Sequence, residues 1–443
     1  MSATSRSDAA RVAVVLGLLF GLTGMGSAAA AIAVVPMAEA YGVSDGAATW
    51  TISLYALMLG IGTAVYGRIA DLSGPRTPMT VGITLMSVGA LLAALAPSFP
   101  IHLVGRLAQG AGAAAVPTLG AAVLSARYSG DLKSTALVKL ASIAAAVTSL
   151  GPLAGGIVID TLSWRFAIAL PMLGLLVLPF IWHAMHVGGT GARLDFIGAA
   201  LTALAAGGAV LLVQSPSTGV VVAVAGGLLL ALGVPAVIAW VRRHPGGFLP
   251  REVIGNPVVV RSAFAAAAVP ASWFALLIAV PAVLLDRGWE TWAVGLTLVP
   301  SGVVSLLMPR VVGPLLTRLE PSGSLMLASV ISVGSLGLAG LGAGLGSPPL
   351  LVVAVVFVTV AFGIGQPALS AAVGGAVEES VRGVALGVAT LVFMVGGSIG
   401  SAVVGGLGHV LGLGPAIGAL ALLPLVGVLV VAPTRRAVSE PVV

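Results

Sequence analysis

The chain has 443 residues, 58% of them hydrophobic and only 8% charged, with a formal net charge of +6. A soluble domain carries roughly 25% charged residues, and no globular core hides this much apolar surface, so lipid is the expected solvent. The basic residues are scattered through short loops, which excludes a nucleic-acid-binding patch, and the absence of cysteine excludes disulfides, thiolate metal sites and a cysteine nucleophile.

A bilayer span needs about 20 mainly apolar residues. In chain order the predicted spans are 12–35, 49–70, 78–97, 100–126, 135–159, 165–185, 196–214, 218–241, 257–284, 292–316, 324–345, 349–374, 383–407 and 412–432. The first has Arg6 and Arg11 before it, as a signal peptide would. Its apolar run is too long for one, and it reads as a retained helix. The stretch 196–241 separates twelve spans from fourteen. As one helix it would measure about 69 Å, against a hydrocarbon core of about 30 Å, and a polar break from Gln214 to Gly219 lies at its middle, so two spans fit. Turn residues such as Pro36, Gly74-Pro75, Pro97 and Ser347-Pro348-Pro349 fall at or near the span ends.

With the N-terminus inside, the cytoplasmic loops take nearly all the Lys and Arg. The outside takes only Arg165 and Arg287, while Arg106 lies within a span. The outer loops instead carry Glu39, Asp45, Asp160, Asp286 and Glu290. No loop exceeds about 20 residues and no phosphate-binding loop is present, so an enzyme domain or an ATP-driven pump within this chain is not expected. Arginine outnumbers lysine 18 to 2 and Ala, Gly and Val abound, as in a GC-rich bacterial genome.

Several motifs occur in order. Gly67-Arg68-Ile69-Ala70-Asp71-Leu72-Ser73-Gly74-Pro75-Arg76 joins spans 2 and 3. Arg106-Leu107-Ala108-Gln109-Gly110 lies in span 4, Gly151-Pro152-Leu153-Ala154-Gly155-Gly156 in span 5, and Ser163-Trp164-Arg165-Phe166 opens span 6. Leu194-Asp195-Phe196-Ile197-Gly198 opens span 7, Gly363-Ile364-Gly365-Gln366-Pro367 lies in span 12, and Gly396-Gly397-Ser398-Ile399-Gly400 lies in span 13. Together they resemble the fourteen-span drug:proton antiporter branch of the major facilitator superfamily, with its motifs A, B and C. Gly67, Ala70, Asp71, Gly74 and Arg76 match motif A, while Leu72 and Pro75 replace two basic residues of the pattern. The second copy of motif A is worn: Gly313 matches Gly67, but Thr317 and Glu320 stand at the Asp71 and Gly74 positions.

The resemblance implies an all-α polytopic membrane protein with both termini cytoplasmic. Residues 1–185 would form an N-terminal six-helix bundle, 186–256 two linking transmembrane helices and a loop, and 257–443 a C-terminal six-helix bundle around a central cavity. It also implies a gating latch of Gly67, Asp71, Gly74 and Arg76. A carboxylate at that membrane face can bond helix N-termini and pair with arginines, although a simple topogenic loop would also carry these residues. Arg106 would lie about 9 Å deep, at an insertion cost of about 2.5–3.5 kcal/mol at a helix centre. With Gln109 one turn on, it is a candidate proton or substrate relay; the alternative is an arginine snorkelling to the outer interface. Gly151, Pro152, Gly155 and Gly156 permit a bend and close helix approach, as an outer seal or as generic packing.

Ser27, Trp50, Tyr55, Trp273, Phe274 and Gln366 are candidate cavity-lining residues, with Trp50 equally suited to anchor at the interface. His183 and His186 lack partners for a metal site and read as interfacial, so no metal and no cofactor beyond a proton gradient is expected. The family pattern usually places an acid in span 1, and here Ser27 occupies that position, with no Asp or Glu deep in any other span. The expected function is export of small lipophilic compounds (a drug, antibiotic or secreted metabolite) across a bacterial inner membrane by a monomer in contact with lipid, coupled to proton antiport. Uptake or facilitated diffusion of a small metabolite is the alternative within transporters, and a membrane-embedded scaffold or receptor the alternative outside them.

Overall fold

In hydrocarbon no water is available to backbone N–H and C=O groups, so a spanning chain must satisfy them within itself. The computed structural model describes residues 3–182, 184, 185, 195–378 and 381–438, and every regular element among them is helical. Fourteen helices are long and apolar enough to cross a bilayer. Spans 1 to 6 are Ala3–Ile32; Asp45–Ala48 running into Trp50–Ser73; Arg76–Leu95; Phe99–Ala113 with Ala115–Arg127; Gly130–Ser149 with Gly151–Thr161; and Trp164–Ala169 continued through a tight turn to Gly174–Ile181. Spans 7 and 8 are Phe196–Thr218 and Val220–Arg243. Spans 9 to 14 are Pro257–Leu285; Thr291–Thr297 with Val299–Arg318; Pro321–Leu345; Pro348–Ala376; Arg382–Leu411; and Leu413–Leu420 with Leu422–Val438.

The breaks inside spans have a local cause. Spans 4, 5 and 10 are interrupted at Ala114, Leu150 and Leu298, each two or three residues before a proline: Pro117, Pro152 and Pro300. A proline inside a helix lacks the donor its turn requires and its ring crowds the preceding carbonyl. Span 7 runs four residues past the expected end at Gln214, through Pro216. Hydroxyls bond back onto the helix there, Ser215 to the Leu212 carbonyl at 2.8 Å and Ser217 to that of Gln214 at 2.9 Å. The turn to span 8 is then a single residue, Gly219, at φ 97°, a conformation that glycine adopts without strain.

Spans 1–6 form one bundle and spans 9–14 the other. Spans 7 and 8 pack on each other, and span 7 lies along spans 13 and 2. The bundles meet where span 2 crosses 13, span 5 crosses 10, and span 1 crosses 9. With fourteen spans both chain termini fall at one end, here termed the near end; the other is the far end. Large apolar side chains left exposed, such as Val81, Val88 and Leu95 of span 3 and Val220, Val221 and Leu232 of span 8, cover the perimeter as lipid contact requires.

Neighbouring spans approach closely on glycine. A Cβ on Gly105 of span 4 would lie 2.5 Å from the Ala93 nitrogen of span 3, and one on Gly226 of span 8 would lie 2.7 Å from the Leu212 nitrogen of span 7. Gly105→Leu is therefore expected to force the 3–4 contact apart at a cost of about 1–3 kcal/mol or more, seen as a lower thermal midpoint in detergent. Gly227→Leu on span 8, where a Cβ meets nothing within 4 Å, should leave the midpoint unchanged.

Candidate functional site

Arg106 is fully buried inside the first bundle, one turn from Gln109. Its Nε donates to the Thr51 carbonyl at 2.9 Å, Nη1 donates to Gln109 Oε1, and the guanidinium lies 4.5 Å over the Tyr55 ring. Gln109 passes the connection to span 6 through the Ile168 carbonyl at 3.4 Å, and the Tyr55 hydroxyl donates to the Thr23 carbonyl of span 1 at 3.3 Å. The arginine thus draws spans 1, 2, 4 and 6 together instead of reaching the interface. Among the described residues no carboxylate pairs with it, and Nη2 has no partner.

His102 was not singled out from sequence. It sits one turn before Arg106, fully buried, with Nδ1 2.9 Å from the Ala93 carbonyl and Nε2 2.8 Å from the Thr51 hydroxyl. The carbonyl can only accept, so Nδ1 carries a proton; in the neutral ring Nε2 accepts from Thr51. Thr51 therefore serves His102 with its hydroxyl and Arg106 with its carbonyl. The i, i+4 spacing of His102 and Arg106 was the available signal.

Span 2 is polar on its other side as well. Ser53 Oγ lies 2.8 Å from Ser401 Oγ, and the Ser398 hydroxyl donates to the Ser53 carbonyl at 2.7 Å, so hydrogen bonds cross between the bundles. Gln214 of span 7 donates to Thr49 Oγ1 at 2.8 Å and to the Gly46 carbonyl at 3.2 Å. Trp50 is buried in an apolar cluster with Leu57, Val210 and Ala402.

The second crossing is built on the span 5 glycines. A Cβ on Gly151 would lie 2.9 Å from Met25 Cα, and one on Gly155 2.8 Å from Ala29 Cα, both on span 1. One on Gly156 would lie 2.5 Å from the Thr291 carbonyl oxygen, while Gly295 answers from span 10, where a Cβ would lie 2.5 Å from the Pro152 oxygen. Two backbones thus touch across the bundles. The Thr291 hydroxyl lies between the Gly156 carbonyl, at 3.3 Å, and the Asp160 carboxylate, which shares its proton and also accepts, at 2.9 Å, from the Trp292 N–H. Further along, the Ser149 hydroxyl reaches the Gly302 carbonyl at 3.4 Å.

At the near end, a Cβ on Gly67 would meet the Thr118 methyl at an ordinary 3.7 Å, Gly74 turns the chain at φ 75°, and Arg76 stacks on the Trp182 ring at 4.0 Å. The side chain of Asp71 lies outside the described residues, as do His183 and His186. Asp195 caps span 7 through the Gly198 N–H at 2.9 Å and also accepts from the Phe248 N–H at 2.9 Å and the Trp240 indole at 3.0 Å. It so fastens both linking helices to the loop behind them. Burial pushes its carboxyl up, but the Gly198, Phe248 and Trp240 donors outweigh burial and hold it below the ordinary carboxylate range.

The remaining sequence candidates fall in separate places. Ser27 is buried with its hydroxyl unpartnered. Trp273 and Phe274 join Phe362 and Phe393 in an aromatic row of the second bundle, with ring centres 5.0 to 5.6 Å apart. Gln366 is exposed one turn beyond Phe362. A crevice of about 720 Å³ opens at the far end between the bundles, bordered by Val34, Asp45, Thr49, Ile278, Asp286 and Gly405, and none of the candidates from Ser27 to Gln366 borders it. Among the described residues no group of His, Asp and Glu converges as metal ligands would.

Two helical bundles that cross a membrane and touch along glycine-lined and serine-lined contacts define a multi-pass transporter. The chain belongs to the Major Facilitator Superfamily, whose family model matches residues 16–401. It is 33% identical to the multidrug resistance protein Stp of Mycobacterium tuberculosis over 33% of this chain and 28% of that protein. To the MFS-type transporter YfiU of Bacillus subtilis it is 31% identical over 38% and 33%. These matches span a third or less of those relatives. With the cephamycin export protein CmcT of Amycolatopsis lactamdurans the identity is 27%, over 75% of this chain and 71% of that protein. Among solved structures, a POT family transporter in complex with a thioalcohol-conjugated peptide superposes with TM-score 0.72 at 16% identity, covering 97% of this chain and 96% of that one. A peptide transporter POT bound to sulfate gives 0.66 at 17% identity, covering 96% and 94%. These structures establish the fold.

Arg106→Ala is expected to leave the Gln109 oxygen without its donor, at about 1–3 kcal/mol, and to remove the second donor of the Thr51 carbonyl, which lies within the span 2 helix. Arg106→Lys should recover little of this, because an ammonium lacks the planar fork that stacks on Tyr55; thermal midpoints in detergent measure both. For Asp195 the folded carboxyl lies below its unfolded value of about 4. Its stabilisation is therefore present above that pH and lost as pH falls through the folded value. The difference in midpoint between wild type and Asp195→Asn should be largest near pH 7 and shrink below about pH 4.

Proposed function

We propose that this transporter exports small lipophilic compounds from a bacterial cytoplasm by alternating access, with protons moving inward in exchange. The span 5–span 10 contact carries this reading. Gly156 and Gly295 bring two backbones together across the bundles near the far end, and a contact this close seals one face of a path between bundles while leaving it separable at the other. In the export cycle a compound enters from the near end, the cytoplasmic side by the distribution of Arg and Lys, and leaves through the far end, where the crevice lies between the bundles beside the span 5–span 10 contact. The names of Stp, a multidrug resistance protein, and CmcT, a cephamycin export protein, support export. Apolar spans, with Arg106 the one Lys or Arg buried among the described residues, suit neutral or weakly anionic substrates. The protein works as a monomer in the inner membrane, with Asp71 as the near-end latch.

One observation favours a second reading. Ser27 occupies the position where an embedded acid would carry the coupling proton, and its hydroxyl is buried without a partner. Facilitated diffusion follows if no other group titrates during the cycle.

The test is reconstitution in vesicles with an imposed pH gradient, following a panel of lipophilic compounds and internal pH together. Antiport predicts that each exported compound moves with proton counterflow and that collapsing the gradient stops its accumulation. Movement down its own gradient without counterflow selects facilitated diffusion. Asp71→Asn should slow transport by about tenfold or more, equivalent to about 1.4 kcal/mol of lost latch energy; an unchanged rate removes Asp71 from the gate.

A further inference from the structure

We infer that Asp160 is the far gate's charged latch, a positioning residue that sets how much of the protein rests with that gate shut. The inference rests on the alternating-access reading. Asp160 ends span 5 in the first bundle, yet its partners belong to the second: the Thr291 hydroxyl and, at 2.9 Å, the Trp292 N–H. These are the first two residues of the helix Thr291–Thr297 that opens span 10. The first N–H groups of a helix have no partner within it, and that end carries a partial positive charge. Ordinarily the residue just before a helix supplies the cap. Here that residue is Glu290, and its side chain makes no cap bond; its carboxylate accepts from the Trp292 indole instead. The vacancy is filled by a carboxylate from the opposite bundle, which exists as a cap only while the bundles touch.

The surroundings make that contact all-or-none. Gly156, one turn before Asp160, lies against the Thr291 backbone without room for a Cβ, and Thr291 also donates to the Gly156 carbonyl. One hydroxyl proton shared between two acceptors, one backbone hydrogen bond and a backbone contact therefore fall within one turn of each helix and separate together. The charged residues of the flanking segments are Asp286, Arg287 and Glu290 before span 10 and Arg165 at the start of span 6; Arg287 is engaged by the Ala343 carbonyl at 3.0 Å. Arg165 is engaged by the Ala94 and Ala96 carbonyls and the Trp164 ring, and among the described residues it makes no ion pair with Asp160. Span 1, the third element packed here, brings no charged residue to this end before Glu39.

A latch of this kind stabilises only the far-shut state, so it shifts a population and adds nothing to the other state's binding. Losing the charge while keeping the shape should move the shut-to-open ratio by about tenfold, the ordinary worth of a charge-assisted bond at a helix N-terminus. The cysteine-free chain suits a direct test. Leu162→Cys and Leu296→Cys, both on exposed positions of spans 5 and 10, would carry spin labels for pulsed distance measurements in lipid nanodiscs. The parent protein should give one short distance. Asp160→Asn should add a longer population, Asp160→Glu should restore most of the short one, and Thr291→Val should shift it the same way by less.

In vesicles Asp160→Asn should raise the KM for a compound supplied at the near end by the factor its distances report, with a smaller change in kcat. A distance distribution in folded Asp160→Asn that matches the parent, or a Glu variant no better than Asn, overturns the latch. A shift in distances with no change in KM shows a cap without a role in transport and also overturns it. The distances need no substrate, so they stand or fall independently of the export reading.

Discussion

Close backbone approach is the constraint on which the structure depends. Apolar side chains gain nothing by leaving lipid for a neighbouring helix, so helices associate through van der Waals contact and interhelical hydrogen bonds, both of which require short distances. This explains why glycine recurs wherever two spans meet. Gly105 allows span 4 onto span 3, Gly396 and Gly400 allow span 13 onto the Ala267 and Ala271 backbone of span 9, and Gly156 and Gly295 allow one bundle onto the other. The first two kinds of contact lie within a bundle and hold it rigid. The last lies between bundles, where the same closeness joins two bodies that share few other contacts on that flank.

Charge is the second currency of this protein and is spent sparingly. Removing a charge from water costs enough that each buried or half-buried one must be met by specific partners. Arg106 is met by a carbonyl, an amide oxygen and an aromatic face, which ties four spans of one bundle. Asp195 is met by three donors and ties the linking helices to their loop. The Asp8–Arg127 pair at the near end, 3.1 Å apart with both side chains substantially exposed, contributes little by comparison. Carboxylates at helix starts recur, and where cap and helix belong to different bundles the bond reports their relative position.

Much of this architecture could be read from the chain. Fourteen spans follow from hydropathy because a helix in lipid must be long and apolar, and the break near Gln214 separated spans 7 and 8 correctly to within a few residues. The span 5 glycines were recognisable, but their partners on spans 1 and 10 were not, since nothing local to 151–156 specifies what lies opposite. Arg106 was visible as a buried charge. Its carbonyl partner Thr51 was invisible, because a backbone acceptor has no sequence signature, and His102 was passed over because its partners come from spans 2 and 3. The aromatic candidates dispersed for a similar reason: residue type says that Trp50 or Phe274 fills space, while the face it fills depends on helix rotation.

The linking pair has a consequence for the perimeter of the molecule. Span 7 lies along the crossing of spans 2 and 13 and is bonded to span 2 through Gln214, with span 8 outside it. Among the described residues the crossing of spans 5 and 10 has no such cover, and Leu150, Ile157, Leu296 and Val303 stand exposed along it. The two bundles therefore meet the bilayer through one shuttered flank and one bare flank. Lipid tails can press directly on the bare joint, so membrane thickness and lateral pressure bear on that contact from one side only.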